Sequence, residues 1–423
     1  MSKLDELIAE LCPNGVEYKS LGEIATIARG GNFQKKDFCD RGVPCIHYGQ
    51  IYTKYGLFTD KTITFITEER AKKQKFAKTN DIIMAVTSEN IEDVCKCLAW
   101  LGNEDVAVSG HSAIISHNQN PKYLVYYFHS QMFFTQKRKL AHGTKVIEVT
   151  PDTLKSIKLP VPPLEVQREI VHILDSFTLL TAELTAELTA RKKQYEFYRD
   201  NLIKKEQHIS EVKKLADVAN IYDSLHQTPS YSNSGYSMVR VQDIKGGYLD
   251  EDKTLKVDES VWNLFTQKYT PRLNDIVVSR VGSYGNFALI PNDKCCLGQN
   301  VALIHPNINP KYLYHVLMST MTKQWINNNV KGASQKSFSL ADIKRVPVPV
   351  PKENIQQRIA EVLDNFEAIC TDLNICLPAE IEARQKQYEY YRDLLLTFAE
   401  TGSTLMTDRQ TDRQTDRQTD RQS

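Results

Sequence analysis

Long apolar runs are missing from this chain. No stretch approaches the roughly eighteen consecutive apolar residues that a membrane-spanning helix needs, and Met1 to Leu11 carries acids where a secretory leader needs an apolar core. No membrane association is expected, and the expected compartment is the cytoplasm. The common catalytic signatures are missing as well. There is no GxxxxGKS or GxxxxGKT loop, and Val281-Gly-Ser-Tyr-Gly285 is a glycine turn without the full dinucleotide pattern. No Asn-Pro-Pro-aromatic or Asp-Pro-Pro-aromatic tetrad of the amino-methyltransferase kind occurs, since Pro162-Pro163 is followed by Leu164. The ten histidines form no HxxxH or HExxH set. Among the nine cysteines, Cys95-Lys-Cys97 and Cys295-Cys296 are spaced too closely for zinc CxxC pairs, so all read as reduced structural thiols. A Pro-Asp…Glu-x-Lys nuclease pattern can be laid on Pro151-Asp152 and Glu211-Val-Lys213, but a long helical stretch separates the pieces. No catalytic residue and no metal site is expected, and the chain is expected to perform no covalent chemistry alone.

What the chain does contain is a second copy of itself. Leu21-Gly-Glu-Ile-Ala25 returns as Leu215-Ala-Asp-Val-Ala219, and Asn80-Asp-Ile-Ile83 as Asn274-Asp-Ile-Val277. Asn120-Pro-Lys-Tyr-Leu124 returns as Asn309-Pro-Lys-Tyr-Leu313, and Leu174-Asp-Ser-Phe177 as Leu363-Asp-Asn-Phe366. Arg191-Lys-Lys-Gln-Tyr-Glu-Phe-Tyr-Arg-Asp200 returns as Arg384-Gln-Lys-Gln-Tyr-Glu-Tyr-Tyr-Arg-Asp393. Two diverged copies predict a pseudo-two-fold molecule, which suits a target with two halves; duplex DNA is the commonest. Net charge is only +1, but residues 1–160 carry 21 Lys/Arg against 18 Asp/Glu and residues 208–351 carry 16 against 12. DNA binding therefore requires the bases to gather on one face.

Each copy divides in two. A first part rich in Tyr, Ile, Val and Thr holds short apolar runs, such as Asp81–Thr87 and Asp275–Ser279, that read as buried strands of a mixed α/β globule. The Pro-Lys-Tyr-Leu segments open helices. Proline-spaced strips, Leu159–Pro163 and Val346–Pro351, predict a stiff extended connector. A long helix follows each strip. In the first copy one stripe joins Val166, Ile170, Ile173, Phe177, Leu180, Leu184, Leu188, Tyr195, Tyr198 and Leu202. That helix is predicted to run roughly 40 residues, about 60 Å. The second copy supplies an antiparallel partner, kinked or restarted at Pro378. Thr181-Ala-Glu-Leu184 and Thr185-Ala-Glu-Leu188 are tandem units of nearly one turn each, the pattern of a length-adjustable spacer. Thr-Asp-Arg-Gln, repeated four times over residues 407–422, is expected to be disordered. Encoded as ACA GAC AGA CAG, each unit would be three copies of ACAG, a tract prone to slippage and phase variation. Sequencing of the coding strand checks this.

A family resemblance rests on Gly332-Ala-Ser-Gln335, Phe338-Ser-Leu-Ala-Asp342, Val346–Pro351 and Gln356-Gln-Arg-Ile359, repeated as Gly143, Thr150-Pro-Asp-Thr-Leu154, Leu159–Pro163 and Val166-Gln167. The pattern resembles the specificity (S) subunit of type I restriction–modification enzymes, and the Thr-Ala-Glu-Leu units and Gln-Tyr-Glu segments resemble its type IC subgroup. One departure is Lys145-Val146, where the second copy has Ser334-Gln335. The resemblance implies an α+β chain: two mixed α/β target-recognition domains separated by two long antiparallel helices, with a pseudo-two-fold internal repeat. It divides the chain into recognition domain 1 (1–163), spacer helix 1 (164–207), recognition domain 2 (208–351), spacer helix 2 (352–400) and the tail (401–423). It implies double-stranded DNA, two methyltransferase (M) subunits and restriction (R) subunits as partners. S-adenosylmethionine, ATP and Mg belong to those partners, with no cofactor in this chain. Two other classes remain open on the residues alone: a stand-alone nuclease or methyltransferase, and a coiled-coil adaptor without DNA binding.

Base readout favours Arg, Lys, Asn and Gln, while Lys, Ser and Tyr hold phosphates. The candidates in polar segments of the first globule are Lys35, Lys36, His47, Tyr48, Gln50, Ser88 and Lys145; Lys72–Lys75 reads as a solvated charge run. In the second they are His226, Gln227, Arg240, Gln242, Arg280, Tyr284, Asn286 and Gln335. For partner docking the recurring aromatics Tyr195 and Tyr198, with Tyr388 and Tyr391, share one helical face in each copy.

Overall fold

Each repeated motif performs one structural task twice. The structure, a computed structural model, describes residues 2–330, 337–371 and 377–401. Asn80 and Asn274 adopt left-handed backbone, with φ of 73° and 66°, which Asn tolerates better than most residues. The following Asp closes the turn. Asp81 accepts from the Lys78 N–H and Asp275 from the Arg272 N–H, both at 2.8 Å. The buried strands Ile82–Ala85 and Ile276–Ser279 then begin, where the apolar runs place them. Asn120 and Asn309 cap the helices Pro121–Phe128 and Pro310–Met318 with proline in the first turn.

By compactness the chain forms two units. The first is Met1–Ala182 together with Ala383 onward; the second is Glu183–Glu382. In the first unit, one five-stranded sheet is ordered Ala25–Arg29, Ser112–His117, Ile82–Ala85, Cys97–Trp100, Phe58–Thr59. A second is ordered Phe38–Cys39, Thr64–Ile66, Val43–Ile46, Val106–Val108, Lys75–Ala77. The second unit keeps the plan with fewer strands. Its four-stranded sheet runs Ala219–Asp223, Val301–Pro306, Ile276–Ser279, Phe287–Leu289, beside a three-stranded sheet of Leu255–Val257, Tyr236–Val239 and Cys295–Leu297.

The proline strips are extended, as predicted, but they are paired rather than free connectors. Lys158–Pro160 pairs antiparallel with Tyr18–Ser20, and Pro347–Val350 with Glu211–Lys214. Alternate prolines fit because Pro160, Pro347 and Pro349 fall at positions whose backbone groups face away from the partner strand. Their outward carbonyls are used: Tyr123 donates its hydroxyl to Pro160 O and Tyr312 to Pro349 O, both at 2.9 Å.

The first long helix is Leu164–Ile209, 46 residues. Its single apolar stripe serves two cores. Val166, Ile170, Val171 and Leu174 are buried in the first unit, and Tyr195 and Ile203 in the second. The second helical segment is used in the opposite order. Ile359, Ala360 and Leu363, from the helix Glu353–Thr371, belong to the second core. Tyr388, Leu395, Leu396 and Phe398, from the helix Leu377–Thr401, belong to the first. Within the first unit the Phe177 and Tyr391 rings lie 5.2 Å apart; within the second, Tyr198 stacks on Phe366 at 5.4 Å. Leu377–Thr401 starts with Pro378 in its first turn, where the missing N–H breaks no bond. The tail reading falls on residues 402–423, outside the described residues. Among the described residues no helix is long and apolar enough to cross a membrane.

The motif partners explain why the repeats recur. Lys122, from Asn120–Leu124, reaches Asp175, from Leu174–Phe177, at 2.5 Å; Lys311 reaches Asp364 at the same distance. Gln167 and Gln356, each almost fully buried, accept from the Asn120 and Asn309 N–H at 3.0 and 3.1 Å. Both donate to a proline carbonyl at 2.8 Å, Pro162 for Gln167 and Pro351 for Gln356.

Candidate nucleic-acid interface

In the first unit several candidates lie on or near the short ladder of Thr87–Ser88 with Ile147–Glu148. Gly143 starts the loop into this ladder at φ 105°. A Cβ there would lie 2.1 Å from Val146 O, so the tight turn requires glycine. Lys145 and Val146 stand exposed at its tip. Thr87 Oγ1 lies 3.2 Å from His111 Nδ1, and the His111 ring is 4.9 Å from that of Tyr48. The Tyr48 N–H donates to Ser109 Oγ at 2.8 Å. Tyr48 is thus linked through His111 to the Thr87–Ser88 strand, and Lys145 lies two residues before Ile147, the partner of Ser88. Lys35 and Lys36 are exposed on a single helical turn, with Lys35 beside Gly49.

His47 and Gln50 need correction as readers. Both are buried. Gln50 Oε1 accepts from the His47 N–H at 2.9 Å and its Nε2 donates to Thr64 Oγ1 at 3.1 Å. His47 Nδ1 accepts from the Gly49 N–H at 3.2 Å, and its ring packs beside Phe33 and Phe38. Burial, reinforced by Lys35 and His111, lowers its pKa to about 4. The pair caps a helix from inside, because the polar run that singled it out folds inward.

The second unit repeats the layout. The Arg280 N–H donates to Asn300 O at 2.8 Å, as the Val86 N–H donates to His111 O at 2.9 Å. Val281 bridges Ser337, matching the ladder of the first unit. Arg280 pairs with Asp223, and His226 Nε2 lies 3.3 Å from the same carboxylate. Arg240 is held by Asp243 through Nε and Nη2, both at 3.0 Å, with Gln242 beside it. Asn286 spends its amide on Ser283 O at 3.1 Å, and Tyr284 packs against the core. Asn286 is exposed and Tyr284 partly exposed, so both stay among the candidate contacts. Gln227 is exposed, and Gln335 lies outside the described residues.

Two residues of the first-unit surface escaped sequence reasoning. His111 carries no pattern of its own. Arg29 does: it ends the strand Ala25–Arg29 immediately before Gly30-Gly31. Its Nε donates to Gly110 O at 2.8 Å and its Nη2 to Glu148 Oε1 at 2.7 Å.

The docking reading is corrected for two of its four tyrosines. Tyr195 is buried and its hydroxyl lies 3.0 Å from His315 Nδ1; Tyr388 is buried with its ring 6.2 Å from Tyr126. They hold a helix to a globule within their own units. Tyr198 and Tyr391 are partly accessible, and the most exposed aromatics of the motif are Phe197 and Tyr390, at 63% and 60%. His315, Asp364 and Glu367 converge. Both His315 nitrogens are already engaged, by Tyr195 and by Asp364 at 2.8 Å, and Lys311 shares Asp364, so the group forms a buried hydrogen-bond network.

The class that the fold defines is an internally duplicated α+β chain of two mixed units. The family model for the type I restriction modification DNA specificity domain matches residues 13–191 and again 209–383. The chain belongs to that family. It is 36% identical over 258 residues to the EcoR124I/EcoR124II specificity subunit of Escherichia coli, covering 58% of this chain and 63% of that protein. It is 29% identical over 313 residues to a putative type I restriction enzyme specificity subunit of Haemophilus influenzae, covering 71% of this chain and 77% of the relative. The fold is that of the Mycoplasma genitalium type I restriction-modification S subunit, with TM-score 0.51 at 12% identity over 90% of this chain and 97% of the other. A chain from a type I restriction-modification complex gives TM-score 0.52 at 15% identity over 92% and 98%.

Proposed function

We propose that this chain is the sequence-specificity subunit of a type I restriction–modification complex. Each unit reads one half of a bipartite, asymmetric DNA site. The carrying observation is that the two units share one backbone plan but differ at matched positions: Arg29 against Asp223 and His111 against Asn300, with Arg280 standing where the first unit buries Val86. Equal scaffolds with unlike reading residues suit two unlike half-sites. The helices dock two methyltransferase subunits, and restriction subunits join that assembly. Methylation with S-adenosylmethionine and ATP- and Mg-dependent cleavage lie on those partners, leaving this chain non-catalytic. Its cytoplasmic placement is supported by the free thiols of Cys12, Cys39, Cys45, Cys95, Cys97, Cys295 and Cys296. Methylome sequencing of cells carrying the chain with its methyltransferase subunit tests the proposal. A split, asymmetric motif is expected, and a continuous palindrome would refute it.

A further inference from the structure

We propose that Arg29 reads a guanine edge in the half-site bound by the first unit, aimed there by the carboxylate of Glu148. The inference rests on the DNA-specificity reading and adds one residue and one base to it.

Arg29 is positioned from the backbone outward. It is the last residue of its strand, paired across from Ala113. Gly30 follows, where a Cβ would lie 2.2 Å from Ser109 O. Only glycine lets the strand end press so closely on the 108–112 turn, and that contact brings the Gly110 carbonyl under the guanidinium. Two bonds to a planar group fix its plane: Nε to Gly110 O at 2.8 Å and Nη2 to Glu148 Oε1 at 2.7 Å. Glu148 comes from the ladder that follows the exposed Lys145 tip. The side chain is still 47% exposed, and Nη1 has no protein partner among the described residues.

A clamped arginine is poorly suited to a phosphate. The adjacent carboxylate cancels most of the attraction, so the pair adds little to sequence-independent binding. Its held fork has direction, which matches the O6 and N7 acceptors that guanine presents in the major groove. At the matched position of the second unit stands Asp223, paired across from Ala302. There the carboxylate sits on the strand and clamps Arg280, whose side chain is only 15% exposed. The sign reversal removes this contact from the second half-site.

The test selects bound duplexes from a random-sequence library with the full chain in complex with its methyltransferase subunits. Arg29→Ala, Arg29→Lys and Glu148→Gln are compared with wild type, and Arg191→Ala serves as a charge control. Arg29→Lys keeps the charge and the aliphatic stem should Arg29→Ala fail to fold. Both Arg29 variants are expected to lose about 5- to 150-fold of the preference for guanine at one position of one half-site, the loss of one bidentate contact. The other half-site should be unchanged, and Glu148→Gln should weaken the same position only. An unchanged motif in Arg29→Ala and Arg29→Lys overturns the inference and leaves the specificity reading standing. Uniform weakening with a salt slope lower by about 1 also overturns it, as the mark of a phosphate contact. A wild-type complex that selects no bipartite motif ends the specificity reading, and this inference with it.

Discussion

Asp200 accepts a hydrogen bond from the Thr320 N–H at 3.0 Å, so a carboxylate of the long helix closes the N-terminus of the helix Thr320–Asn329. The first unit does the same with the other copy of the motif: Asp393 accepts from the Gln131 N–H at 3.2 Å, at the start of Gln131–Leu140. An anion at a helix N-terminus meets unpaired N–H groups and the positive end of the helix dipole. Asp200→Ala and Asp393→Ala should each lower stability by about 0.5–2 kcal/mol. Urea unfolding reads the loss, and an unchanged midpoint in both variants would contradict the latch.

Tyr195 and Tyr388 should behave as core residues. Tyr195→Phe removes the hydroxyl at His315 and is expected to cost about 1 kcal/mol. Tyr195→Ala and Tyr388→Ala should each cost about 3–5 kcal/mol, by analogy with other buried aromatics. If either alanine variant keeps wild-type stability while shedding a partner subunit, the packing assignment fails.

Gln167 and Gln356 satisfy groups that burial would otherwise orphan. Gln167→Leu is close in size but abandons the Asn120 N–H and the Pro162 carbonyl. A loss of roughly 1–3 kcal/mol per unsatisfied group is expected. Thermal melts with a leucine melt matching wild type would argue against it.

Acid should weaken the first unit. His47 and His129 are both held down to about 4 from the ordinary 6.5, chiefly by burial. A histidine kept neutral in the folded state contributes stability above pH 6.5 and loses it as pH falls toward 4. Each accounts for up to about 3 kcal/mol over that window. Stability measured from pH 7 to 4.5 should decline, and less steeply in His47→Phe. Parallel curves for variant and wild type would exclude His47 as a source.

The Thr-Ala-Glu-Leu units offer a test of the spacer. None of residues 181–190 is buried, so deleting Thr185–Leu188 removes no buried residue. The helix shortens by about 6 Å and nearly keeps its face. Methylome data should show unchanged half-sites and a shorter gap. A folded deletion variant that keeps the original gap would refute the spacer role.

How far sequence reasoning reached can be judged from these same residues. Periodicity identified the apolar stripe that includes Tyr195, because side chains at steps of three and four share a face. It could not say what covers that face. The answer is His315, 120 positions away, and such pairings are set by packing that no local pattern records. His47 and Tyr48 look alike as polar loop residues. One turns inward to cap its own helix and the other remains partly exposed. Arg29 was recoverable in principle, since an arginine before two glycines at a strand end marks close backbone approach.

The interleaving of the two units has a consequence for how the protein is made. The second unit is one unbroken stretch of sequence, whereas the first needs residues from both sides of it. A chain emerging from the ribosome therefore completes the later unit first. The earlier globule must wait for about 200 further residues before Tyr388 and Asp393 reach it, on the order of 10–40 s at ordinary elongation rates. During that interval the surface that Tyr388, Leu395, Leu396 and Phe398 later cover stands open, which makes the first globule the more vulnerable half of a nascent chain.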